Sequence, residues 1–166
     1  MIMMIQIVKP EQLIIRNFSK DNPGLDIQGT TVHSCSDGVV TYIGTDTDSR
    51  YTVCVQYSTD KTFKYSNLKT TSVSVGMCIV SGSLIGYTDK YVHFEYLTSA
   101  RGDSLWPVRI GSLTHYKQNP TPVLTGEIRL NANNWSAIKS VTVHYDADYD
   151  LTAPMVDEFM SDNRGE

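Results

Sequence analysis

Between Gly29 and Leu97 the chain alternates apolar and polar residues in short runs, and each run stops at a turn signal. Residues 51–57, Tyr-Thr-Val-Cys-Val-Gln-Tyr, alternate with a period of two. They are rich in β-branched and aromatic side chains, which suit a pleated surface with one buried face. Residues 39–43 follow Asp37-Gly38, a dipeptide that favours a tight turn. Residues 62–65 form a further run, set off from 51–57 by the polar turn 58–61. Val73 and Val75 precede Gly76, and the runs 84–87 and 92–96 complete the series. Helical periodicity is missing throughout. Strands at this spacing predict an all-β sandwich or barrel.

Beyond Trp106-Pro107 the pattern weakens. Residues 111–116 could close a first domain spanning 1–118. Asn119-Pro120-Thr121-Pro122 reads as a linker, taken as 119–125. Strands are expected at 126–130 and 140–145, and a short helix at 154–160. This C-terminal appendage, 126–166, is too small for a core of its own, so docking on the main domain or on a partner is expected. The apolar start, residues 1–8, reads as a short strand. It lacks a basic leader and a small-residue cleavage site, so the chain is expected to be made and kept without export.

Composition narrows the function classes. The 166 residues are 40% hydrophobic and 19% charged, which describes an ordinary globular chain and not a disordered one. A net charge of -4 and a pI near 5.5 argue against nucleic acid, whose phosphates need a basic face. No apolar stretch approaches the ~20 residues of a membrane span. Cys35, Cys54 and Cys78 are odd in number and widely spaced, and each lies in an alternating apolar run. They are expected to be small buried hydrophobes and not a disulfide framework.

Two segments bracket the β-rich stretch: Asn22-Pro23-Gly24-Leu25-Asp26-Ile27 before it and Tyr91-Val92-His93-Phe94-Glu95-Tyr96 at its end. Between them come 29–40 (Gly-Thr-Thr-Val … Asp-Gly-Val-Val), Lys64-Tyr65-Ser66-Asn67-Leu68, and Val75-Gly76 followed by Gly82-Ser83-Leu84-Ile85-Gly86. In this order they resemble the motifs of the lysostaphin-like (LytM-type) peptidoglycan zinc endopeptidases. There the bracketing motifs read His-x-x-x-Asp and His-x-His-Phe-Glu. The resemblance covers about residues 13–107. It implies a LytM-type antiparallel β-sheet or sandwich, related to a duplicated-hybrid-motif barrel, with a small β-rich C-terminal appendage.

In that family the first His and the Asp of His-x-x-x-Asp and the second His of His-x-His hold zinc. Those positions fall on Asn22, Asp26 and His93, so Asn22 replaces one ligand. Two further family histidines orient water and stabilise the transition state, and their positions fall on Asn67 and Tyr91. A catalytic zinc wants three protein ligands and one open position. An amide oxygen is a poor substitute for imidazole on this borderline-soft ion. Asn67 cannot exchange a proton near neutrality, and losing a positioned acid or base typically costs about a hundred- to ten-thousandfold in rate. Tyr91 could donate a hydrogen bond to an oxyanion but is a weak base.

The resemblance therefore implies a catalytically inactive, endopeptidase-like domain with a residual groove formed by Asn22, Asp26, Asn67, Tyr91 and His93. No cofactor is expected beyond weakly held zinc. Phages often carry such domains, so the expected role is a structural or cell-wall-binding component of a bacteriophage tail tip or baseplate. The chain would then be made in the host cytoplasm and localised to the virion, with other tail proteins and peptidoglycan as partners. Two alternatives stand: a weakly active zinc endopeptidase, and a regulator of a separate cell-wall amidase. His93 could equally be a half-buried histidine hydrogen-bonded to Asp26. His33 is expected in the core or the groove wall, and is the first candidate for a replacement ligand. His115 and His144 lie outside the match and need only packed or solvated roles. The tetrapeptide Arg101-Gly102-Asp103-Ser104 matches an integrin-binding motif by chance, and the many tyrosines are strand residues before they are groove residues.

Overall fold

A computed structural model describes residues 5–110 and 113–130. Thirteen strands and one short helix follow in chain order: β1 Val8–Lys9, β2 Leu13–Arg16, β3 Leu25–Gln28, β4 Thr31–His33, β5 Gly38–Thr45, β6 Tyr51–Ser58, β7 Lys61–Leu68, β8 Thr70–Thr71, β9 Cys78–Ile79, β10 Leu84–Tyr87, β11 Tyr91–Thr98, β12 Pro107–Ile110, β13 Leu113–Gln118 and α1 Thr121–Leu124. They form two antiparallel sheets. The smaller has the order β1-β4-β10-β8. The larger runs β12-β13-β11-β7-β6-β5-β9, with β3 on β11 and β2 on β3. The all-β expectation holds, and every run in 39–96 read as a strand is one, apart from the lone pair Val73 and Val75.

The period of two explains how the larger sheet divides its residues. On β11, Val92, Phe94 and Tyr96 face the core, while Tyr91, His93 and Glu95 face the opposite side. Phe63 and Tyr65 on β7 meet them: the Phe63 ring lies 5.9 Å from Phe94 and 5.2 Å from Tyr96, and Tyr65 lies 5.2 Å from Phe94. Val8, Val32 and Ile85 from the smaller sheet belong to the same core. Tyr65 is wholly buried, and its hydroxyl accepts from Cys35 N and donates to Cys35 Sγ. It is a core residue and lines no groove.

Three expectations are corrected. Cys78 is exposed, because β9 is a two-residue edge strand whose neighbour Ile79 takes the inward position; Cys35 and Cys54 are buried as expected. Where a linker was expected, α1 places Val123 and Leu124 in the core, and Ile5 N donates to Leu124 O at 2.7 Å. Residues 126–130 are turn and irregular backbone instead of a strand, with Ile128 and Leu130 packed against the core. The expected strand 140–145, the helix 154–160 and His144 lie outside the described residues. No helix among the described residues is long and apolar enough to cross a membrane.

Candidate functional site

The face of the larger sheet turned away from the core carries the site. Strand register sets it up: His93 on β11 stands directly opposite Asp26 on β3 and Ser66 on β7, and Glu95 stands opposite Lys64. Lys117 on β13 pairs with Leu97, one step diagonally from Glu95. His93 Nδ1 lies 2.6 Å from Asp26 Oδ1, and His93 Nε2 lies 2.8 Å from Glu95 Oε2. Lys117 Nζ is 3.1 Å from Glu95 Oε2, and Lys64 Nζ is 3.6 Å from Glu95 Oε1. Asp26, Lys64, Glu95 and Lys117 are all buried. Four strands, β3, β7, β11 and β13, thus bring five ionisable side chains into one chain of contacts.

The electrostatics follow from those contacts. Burial alone would depress His93, but its hydrogen bonds and charge interactions with Asp26 and Glu95 outweigh that and raise its pKa to about 9. Burial would push Glu95 up, yet the charges of Lys117 and Lys64 and the bond to His93 hold it well below the usual carboxylate range. Burial depresses Lys117, and Glu95 offsets only part of that. Both partners of the His93 ring are acceptors, so at neutral pH both ring nitrogens donate and the side chain is an imidazolium.

The covering turn comes from residues 17–24. Asn22 is buried, and its amide Nδ2 donates to the carbonyls of Asn17 (3.1 Å) and Gly24 (2.9 Å). Gly24 lies directly on β11. A Cβ there would come within 2.4 Å of Phe94 O, 2.9 Å of Glu95 Cγ and 3.1 Å of His93 Cε1. Asn67 has φ 67, a left-handed conformation that Asn tolerates better than most residues. Its Nδ2 donates to Tyr91 O at 2.8 Å, and Thr88 Oγ1 is 3.1 Å from Asn67 O and 2.9 Å from Tyr91 O. Asn67 and Tyr91 are therefore joined through backbone, at the end of β11 beside His93.

Of the five residues expected from sequence, the structure joins Asp26 to His93, joins Asn67 to Tyr91, and puts Asn22 in the covering turn. His33 lies elsewhere, on β4 of the smaller sheet, with its ring nitrogens on Thr31 Oγ1 (2.9 Å) and Gly82 O (3.1 Å). His115 is packed on β13. Sequence reasoning passed over Glu95, Lys64 and Lys117. For Glu95 the signal was available, since i and i+2 on a strand share a face and His93 was already placed. Lys117 depends on a strand pairing that no local pattern reveals.

These residues do not fit a catalytic zinc ion. Among the described residues no three His, Cys, Asp or Glu side chains converge as a ligand set. Both ring nitrogens of His93 are engaged by carboxylates, so a metal on either one would have to displace a hydrogen bond made at 2.6 or 2.8 Å. The Asn22 amide is committed to backbone carbonyls through its nitrogen.

A twisted antiparallel β-fold with a His-Phe-Glu strand and an Asp-bearing neighbour defines a peptidase-like domain of the peptidoglycan-hydrolase type. The chain belongs to peptidase family M23, whose family model matches residues 20–103, half of the sequence. Solved structures agree on the fold. A catalytic-domain mutant of the prophage-encoded M23 protein EnpA from Enterococcus faecalis matches with a TM-score of 0.54 and 13% identity, covering 72% of this chain and 95% of that one. Lysostaphin from Staphylococcus simulans matches with a TM-score of 0.51 and 17% identity, covering 77% of this chain and 55% of that one. The protein cbpa from L. salivarius REN is 34% identical over 45% of this chain and 55% of its own, with a TM-score of 0.41, so this chain spans about half of that protein. No curated protein gives a significant match.

Proposed function

We propose that this M23 domain is catalytically inactive and serves as a structural or cell-wall-binding module. The observation that carries the reading is His93 held between Asp26 and Glu95. A peptidase of this family needs that imidazole facing a metal, and here each ring nitrogen is engaged by a carboxylate of the protein's own. The Asn67 and Tyr91 positions support the same reading, because neither an amide nor a phenol replaces a histidine in moving protons near neutral pH. A fold without its chemistry can still keep a groove, and function then rests on what the groove or surface holds.

Within that reading we place the chain in a bacteriophage tail tip or baseplate, with neighbouring tail proteins as partners and peptidoglycan as a ligand. A prophage-encoded protein with the same fold is in keeping with this placement. The segment 126–166 is the docking element in this account, so removing residues 131–166 abolishes incorporation into the particle. The test is direct: purified chain is mixed with peptidoglycan sacculi and assayed for released peptides and for retention on the pellet. The proposal expects retention without release, with or without added zinc. Zinc-dependent release lost on Asp26→Ala would overturn it in favour of an active endopeptidase.

A further inference from the structure

The ion-pair chain behind β11 does more than leave a metal site incomplete. Glu95 is buried and carries one lysine on each carboxylate oxygen, Lys64 at 3.6 Å from Oε1 and Lys117 at 3.1 Å from Oε2. The Oε2 atom also contacts His93 Nε2, and the other ring nitrogen contacts Asp26. A dication at Asp26 and His93 would therefore sit one or two side chains from two fixed ammonium groups. Water screens little of that repulsion, because Asp26, Glu95 and both lysines are buried and His93 is half-buried. Gly24 lies so close on one side that a Cβ there would collide with Phe94 O and crowd Glu95 Cγ and His93 Cε1.

Lys117 stands on β13, beyond the residues 20–103 that match the family. Its approach to Glu95 is built by the pairing of β13 with β11. We propose that Lys117, assisted by Lys64, is the built-in counter-cation of this site. The two ammonium groups hold the Glu95 carboxylate, and Glu95 holds His93, so the site rejects divalent metal by charge as well as by missing ligands.

The consequence is specific: restoring the first family ligand alone does not restore metal binding. This rests on reading Asn22, Asp26 and His93 as the family's ligand positions. It can fail without touching the proposed inactivity of the natural chain. The probe is Zn(II) alone, read by equilibrium dialysis with elemental analysis and by the zinc-induced shift in melting temperature. Asn22→His should gain little zinc. Asn22→His with Lys117→Met should bind at least about tenfold more tightly, because one buried like charge is gone. Asn22→His with Lys117→Arg keeps the charge and should stay as weak as Asn22→His. If Lys117→Met does not fold in that background, Lys64→Met is the second charge-relieved variant: it removes one buried like charge and leaves Lys117 on Glu95. Tight zinc binding by Asn22→His with Lys117 in place would overturn the inference, as would a folded charge-relieved variant that binds no better. Zinc-dependent hydrolysis by the natural chain is a separate result, and it would sink the inactive reading as well.

Discussion

Residue by residue, the site is governed by which groups are charged. His93 has a folded pKa of about 9 against 6.5 unfolded, so its protonation favours the folded state. That contribution is fully present below about pH 6.5 and is lost as pH rises through about 9. The expected result is that nitrogen NMR finds both ring nitrogens of His93 protonated at pH 7.5, and that stability falls between pH 7 and 10. A ring titrating near 6.5 would show that the carboxylate contacts are not formed in solution. Gly24 is the other sharp position. In Gly24→Ala the new methyl meets the Phe94 carbonyl at 2.4 Å, and backbone cannot step aside as a flexible side chain can. Overpacking of this kind costs about 1–3 kcal/mol, measurable by urea unfolding. A change below a few tenths would mean that the turn 17–24 does not lie on β11. Of these residues the sequence displayed the family positions Asn22, Asp26, Asn67, Tyr91 and His93. It hid Lys117, because a lysine 22 residues downstream acquires its role only through strand pairing.

Among the elements, β11 and β7 make the architecture, and their alternation was plain in the sequence. Val92, Phe94 and Tyr96 against His93 and Glu95 is a two-sided strand written in consecutive letters. The elements that misled were those whose fate is set by distant contacts. Asn119-Pro120-Thr121-Pro122 has the composition of a linker, and proline is equally at home in the first turn of a helix. The deciding fact is burial: Leu124 is wholly inaccessible, and the chain near Ile5 bonds to its carbonyl. Leu124→Ala should therefore cost about 2–5 kcal/mol, the range for emptying a buried leucine site. A linker residue would give a change near zero, so a single denaturation curve separates the two readings. Cys78 was misplaced for a related reason. Periodicity fixes that Cys78 and Ile79 face opposite ways but not which one faces in.

At the scale of the whole molecule, an M23 β-fold packs its core between two sheets and carries the ionic cluster on the opposite face of the larger one. Ile128 and Leu130 still pack on that core, so a chain ending at Leu130 should unfold cooperatively. A chain ending at Thr125 should melt several degrees lower, because those two contacts are gone. Equal melting temperatures would show that 126–130 contributes nothing to the domain. The central claim is that Asp26, His93 and Glu95 form a closed ionic cluster and not a peptidase centre. The most direct measurement is release of peptides from peptidoglycan by the purified chain, with zinc supplied in excess. The account predicts no release above a heat-denatured control. Release that depends on zinc and disappears with Asp26→Ala would contradict it.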